Sequence, residues 1–174
     1  MHSIVCSYPY SKDNSKIFKI VKSNIDTRFE TGGGRRTYWD LHQKGIKEID
    51  KLLSWLKSQF DRVSNDFILP QNRVGGIRYD FKVHSCWGVI YEKTEGVEMH
   101  NHFPYAFSFV YYVNVPQGSA PLTLVESEIK PKAGQLIIFP SILPHGVFSN
   151  ESSGRCCLSG NILFIGSESS PGGG

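Results

Sequence analysis

His100 and His102 stand one residue apart, and His145 follows forty-three residues later at the end of the run Gly-Gln-Leu-Ile-Ile-Phe-Pro-Ser-Ile-Leu-Pro-His. Three of the six histidines therefore fall into one constellation. In an extended strand, residues two apart share a face, so alternation is expected to aim both imidazoles of the His-Asn-His pair inward. A third imidazole from a distant strand would let three neutral nitrogens hold one face of a metal ion and leave its other positions open. That is the donor set of a reactive metal rather than a structural one. A single histidine is more often a packed or surface residue than a ligand, and His2, His42 and His84 are read that way. The spacing carries the signal, not the count.

Such a site needs strands to carry it. Beyond Pro70 the sequence breaks into short β-rich runs separated by turn residues, at 76–83, 86–93, 98–102, 108–115, 122–125, 135–139, 145–148 and 156–164. About eight strands over this length suit a jelly roll. Pro116-Gln117-Gly118 and the stretch 131–134 punctuate the apolar runs, and 149–154 reads as a hairpin loop. Ahead of them Ile46, Ile49, Leu53, Leu56 and Phe60 recur at helical spacing, which predicts a supporting helix over about 40–62, capped by Thr37 or Asp40. A strand is expected at 17–21. The triple glycine at 32–34 lacks the Lys-Ser/Thr of a phosphate-binding loop and reads as a flexible loop. The expected fold class is mainly β, a cupin-like jelly roll with an N-terminal supporting helix.

The chain has 174 residues, enough for one domain with a core that needs no staples, expected over 1–166 with the β core at 76–165 and a flexible tail at 167–174. A net charge of +3 with scattered basic residues gives no footprint for nucleic acid. Of the four cysteines, Cys156 and Cys157 are adjacent and no Cys-x-x-Cys occurs, which points to buried thiols in a reducing compartment. With no basic-apolar leader and no run of membrane-spanning length, the expectation is a cytoplasmic protein with no membrane partner.

Taken together, residues 87–91, His100-Asn101-His102, 108–113, 134–141, His145 and 155–161 resemble the Fe(II)/2-oxoglutarate-dependent oxygenase superfamily, in particular its prolyl-hydroxylase-like branch of small, often phage-encoded members. The resemblance implies a double-stranded β-helix. It also implies Fe(II) held by His100, His102 and His145, with 2-oxoglutarate as cosubstrate and O2 as oxidant. Arg155, ten residues beyond His145, matches the family's partner for the distal carboxylate of 2-oxoglutarate, and a planar guanidinium is suited to that role by its two parallel charge-assisted bonds. Ser159 shares its strand face and Tyr91 matches a tyrosine near the cosubstrate. The family usually carries a carboxylate where His102 stands; Glu98 offers a rival carboxylate on the strand of His100.

The reaction implied is hydroxylation of a peptide or small metabolite, with nucleic acid ranked lower. Specificity is expected from loops at 35–38, 72–79 and 103–105, and part of the aromatic cluster Phe103, Tyr105, Phe107, Phe109, Tyr111 and Tyr112 could line a pocket. Two other readings stand beside this one: a three-histidine cupin dioxygenase that uses no 2-oxoglutarate, and a non-catalytic jelly-roll binding module. The cupin pattern asks for a glutamate separated from the His-x-His by three or four residues, where this chain has Ala106 and Phe107.

Overall fold

In the computed structural model, residues 3–29, 33–68, 77–125 and 127–169 are described. The strands are β1 (Ile4–Ser7), β2 (Arg35–Arg36), β3 (Ile77–Tyr91), β4 (Val97–His100), β5 (Phe107–Asn114), β6 (Leu122–Leu124), β7 (Ser127–Ile129), β8 (Gln135–Pro140), β9 (His145–Val147) and β10 (Arg155–Ser169). They form two antiparallel sheets, one ordered β1-β8-β5-β10-β3-β2 and a smaller one ordered β4-β9-β6-β7. Two helices, α1 (Asn14–Ser23) and α2 (Lys47–Ile68), precede the long strands.

The large sheet is buried on both faces, which is why β5 and β8 read as near-continuous apolar runs. Strand alternation sorts those runs. Leu136, Ile138, Phe109, Tyr111, Cys156 and Leu158 face the helices, where they join Ile17, Val21, Ile49, Leu52, Leu56 and Phe60. Ile137, Phe139, Val110, Tyr112 and Cys157 face the small sheet and pack with Val89, Leu122, Leu124 and Val147. The candidate site lies in this second layer, between the sheets.

Several local expectations are corrected. The segment 17–21 is helical: Ile17 and Val21, four apart, form the buried stripe of α1, and their partner is a helix-accepting notch in β3. The notch is Gly88, where a Cβ would come within 2.5 Å of the Val21 side chain. The α2 helix starts at Lys47, later than expected, because a short 3-10 turn at Leu41–Gln43 intervenes. Thr37 and Asp40 cap neither element: the Thr37 hydroxyl accepts from the Gly88 backbone N–H, tying the segment to the edge of β3, and Asp40 makes no side-chain capping bond. The expected strands 76–83 and 86–93 are one strand, β3, and residues 167–169 continue β10 paired to it rather than starting a tail. The loop at 149–154 is not a hairpin, since β9 pairs with β4 and β6 while β10 belongs to the other sheet. Thr31, Gly32, residues 72–76 and 170–174 lie outside the described residues. No helix among the described residues is long and apolar enough to cross a membrane.

Candidate metal centre

His100 ends β4 and is the direct cross-strand partner of His145 at the start of β9. His102 is placed differently from the sequence expectation: β4 stops at His100, and no strand alternation reaches residue 102. A turn does the work instead. The Asn101 side chain accepts the Phe103 N–H at 3.1 Å, and the His102 N–H donates to the Ser141 carbonyl at 2.8 Å, which folds the loop back so that His102 meets its two partners. The three rings gather with centroids 4.5 to 5.0 Å apart. Glu98 does not join them. A register shift between Val97 and His100 breaks the alternation that would have put its carboxylate beside His100.

Backbone carbonyls fix the chemistry of the rings. His100 Nδ1 lies 2.7 Å from the Glu98 carbonyl and His145 Nδ1 lies 2.9 Å from the Leu143 carbonyl. A carbonyl only accepts, so both Nδ1 atoms carry the proton and both Nε2 atoms present a lone pair. This is the way ligating histidines are oriented in metal sites. His100 Nε2 and His102 Nε2 stand 3.0 Å apart. Two nitrogens about 2.1 Å from one ion and at right angles to each other would be separated by about that distance. The ligand atoms of all three histidines lie within 4.8 Å of one another, a donor set that fits Fe(II). Burial pushes the His102 and His145 rings down to about 4, so both are neutral and available at ordinary pH. Trp87 stacks on His102 at 5.7 Å, and the Phe139 ring meets His145 edge-on at 4.7 Å.

A cavity of about 270 Å3 opens from this cluster between the sheets and reaches Arg155, Tyr91 and Ser159. Arg155 opens β10 opposite Tyr91 and is 1 % exposed. Its guanidinium lies 4.9 Å over the Tyr91 ring and 5.3 Å over the Tyr112 ring. Its Nε and Nη1 have no hydrogen-bond partner, and among the described residues no carboxylate pairs with it. Burial pushes the Tyr112 phenol up to about 12 and raises that of Tyr91 as well, so neither ring supplies a counter-charge. A buried cation in this state is costly unless an anion reaches it.

Other side chains were harder to foresee. Tyr112 belongs to this layer, whereas Phe107, Phe109 and Tyr111 of the same aromatic run pack toward the helices. Period-two alternation along β5 separates them. Phe103 is exposed, and Tyr105 lies against His84. Asn161 bridges Ser108 and Ser85 in a buried polar chain that also includes Ser141, and its amide lies beside His102. Arg36 and Trp39 line the mouth of the cavity.

Solved structures share this arrangement of sheets and helices. A viral collagen prolyl hydroxylase from Paramecium bursaria Chlorella virus-1, solved as a 2-oxoglutarate complex, superposes with a TM-score of 0.70 at 12 % identity, covering 95 % of this chain and 97 % of its own. The fold is that of the 2-oxoglutarate- and iron-dependent oxygenases. A prolyl-4-hydroxylase from Pseudomonas putida matches the same oxygenase fold at TM-score 0.66 and 19 % identity, over 93 % of this chain and 92 % of that one. HygX from Streptomyces hygroscopicus, with nickel and 2-oxoglutarate bound, matches at 0.64 and 11 % identity, over 93 % and 82 %. No family model and no curated protein matches the sequence.

Proposed function

We propose that the protein is an Fe(II)- and 2-oxoglutarate-dependent oxygenase that hydroxylates a small metabolite or peptide, with the chain through the end of β10 acting as one catalytic domain. The observation that carries this reading is Arg155: a guanidinium 1 % exposed, with two nitrogen atoms unbonded, in the same cavity as three converging imidazoles. A dicarboxylate with one end on the metal and the other on Arg155 answers both needs. A three-histidine dioxygenase without 2-oxoglutarate leaves Arg155 unexplained.

His100, His102 and His145 would hold the metal through Nε2, with the Glu98 and Leu143 carbonyls keeping the first and third rings in the required tautomer. Arg155 would take the distal carboxylate in a bidentate grip, its plane fixed by Tyr91 and Tyr112, and the Ser159 hydroxyl lines the same cavity wall. With iron bound, the cosubstrate and O2 supply the oxidising chemistry, which yields succinate and carbon dioxide as one substrate C–H bond becomes C–OH. The chain's own contribution is positioning: Trp87, Phe139 and Val110 keep water from the inner wall, and no side chain is required as a general base.

His102 in place of a carboxylate leaves the donor set without negative charge, which strengthens the pull of the centre on anionic ligands. The test is turnover of 2-oxoglutarate to succinate by the Fe(II)-loaded protein with no added substrate, compared with Arg155→Gln. Slow, iron-dependent succinate formation that the variant loses is the expected result. Iron binding with no succinate under any 2-oxoglutarate concentration would move the reading to the three-histidine dioxygenase, and absence of iron binding to a non-catalytic module.

A further inference from the structure

The cavity is unbalanced in charge. Arg36 and Arg155 both line it with the three histidines, and no Asp or Glu is among the described residues that do. Arg155 is deep and close to the tyrosines, whereas Arg36 sits at the mouth in β2, as the cross-strand partner of Val89, whose side chain belongs to the inner layer. Neighbouring arginines are already neutralised: Arg28 pairs with Asp26 and Arg35 with Glu92. Among the described residues Arg36 pairs with no carboxylate. Its guanidinium is held instead by aromatic faces, 4.5 Å over Phe29 and 5.2 Å over Trp39. Stacking fixes the plane of the fork without using its N–H groups, which leaves them for a ligand.

We propose that Arg36 is a specificity-determining residue of this centre, and that the primary substrate is an anion presenting a carboxylate or phosphate group to Arg36 beside Trp39. The inference rests on the oxygenase reading and narrows its substrate. With a divalent ion bound, the metal and two arginines bring four positive charges and 2-oxoglutarate brings two negative ones, so two positive charges remain. A carboxylate at position 102 would have removed one of them. A neutral substrate closing over the cavity would leave this excess in a region of reduced dielectric, where it is costly; an anion lowers it, by one charge for a carboxylate and by up to about two for a phosphate, and is drawn to the mouth by the same field. Trp39, which lines the mouth and is 37 % exposed, offers a flat apolar surface for whatever carries the anionic group.

The test uses the protein loaded with Ni(II) and 2-oxoglutarate, so that Arg155 is occupied, and titrates it by calorimetry with phenyl phosphate, benzoate and benzyl alcohol at fixed ionic strength. Both anions, or the better matched of them, are expected to bind at least about tenfold more tightly than the alcohol, and Arg36→Gln to lower that affinity by about tenfold or more with 2-oxoglutarate affinity unchanged. The tighter of the two anions identifies the group recognised. Arg36→Lys, which keeps the charge and loses the fork, is expected to fall between, and it guards against a variant that merely misfolds. Equal binding of alcohol and anions, no binding of either anion, or an Arg36→Gln protein that binds them as the wild type does, overturns the proposal. Loading is read separately as the rise in Tm on adding 2-oxoglutarate. If that rise is present and anions are not discriminated, the substrate proposal alone fails; if it is absent, the oxygenase reading fails and the proposal with it.

Discussion

Replacing Arg155 by methionine should stabilise the ligand-free protein while removing its response to 2-oxoglutarate at concentrations that saturate the wild type. In the folded chain the Arg155 side chain is sealed from solvent with Nε and Nη1 unbonded and no carboxylate partner among the described residues. Each such N–H costs about 1–3 kcal/mol, and desolvating the charge adds several more. The faces of Tyr91 and Tyr112 return about 1–2 kcal/mol each. The remainder is a net cost of about 2 kcal/mol or more. Methionine keeps most of the buried stem and places a polarisable sulfur on the same rings, so it removes the charge without opening a large void. For a chain of this length, 2 kcal/mol corresponds to a Tm higher by about 4–8 °C. The wild type, by contrast, should gain about 2.7 kcal/mol from 2-oxoglutarate at a hundred times its Kd in the presence of metal, and the variant should gain little at the same concentration. Thermal and urea melts of both proteins, with and without Ni(II) and 2-oxoglutarate, read out the four states. An Arg155→Met protein that is less stable than the wild type without ligand, or that responds to 2-oxoglutarate equally, would refute the reasoning.

The remaining predictions address the proposed metal ligands and their supports. Burial holds the His102 and His145 rings near 4, below the value of about 6.5 expected in the unfolded chain, so the stability they carry is whole above pH 6.5 and is lost as pH falls from there toward 4. For His145 this amounts to about 3 kcal/mol at most, and urea midpoints of the metal-free protein should fall less steeply with pH in His145→Phe; parallel curves would contradict it. His102→Ala should weaken Fe(II) binding by about tenfold to a hundredfold or more, whereas His102→Asp should keep it, measured anaerobically with a competing chelator. Asn161→Leu severs the buried chain to Ser85 and Ser108, and should cost about 2–4 kcal/mol in urea melts and loosen the metal, since the amide also lies beside His102. Gly88→Ala drives a methyl into Val21 and should cost about 1–3 kcal/mol, with early hydrogen exchange in α1 as the local sign that the helix has lifted from the sheet.

The strands of the jelly roll and the second helix were legible because their apolar periodicities are long and consistent with the layers they serve. The segment at 17–21 was not, since five residues fit a strand or a helical turn equally well until Gly88 supplies a place for Val21. The site shows the same division. Types and spacing were enough to gather His100, His102, His145 and Arg155, but the means differ from strand alternation: His102 is brought in by the Asn101 turn and the bond to Ser141. Glu98 illustrates the limit of period-two reasoning, because one register shift moved its carboxylate away from the centre and left its carbonyl as the useful group. Arg36 was visible only as part of a mouth loop. Its meaning comes from pairing across β3 and from the absence of acidic residues among the described cavity walls, both properties of the folded chain.

The most direct test of the oxygenase account is anaerobic addition of Fe(II) to the metal-free protein, followed by 2-oxoglutarate, with the visible metal-to-ligand charge-transfer absorption as readout. The account predicts a band in the wild type, none in His145→Ala, and a band in Arg155→Met that demands far more 2-oxoglutarate. Iron bound tightly with no band at any concentration of 2-oxoglutarate would contradict it.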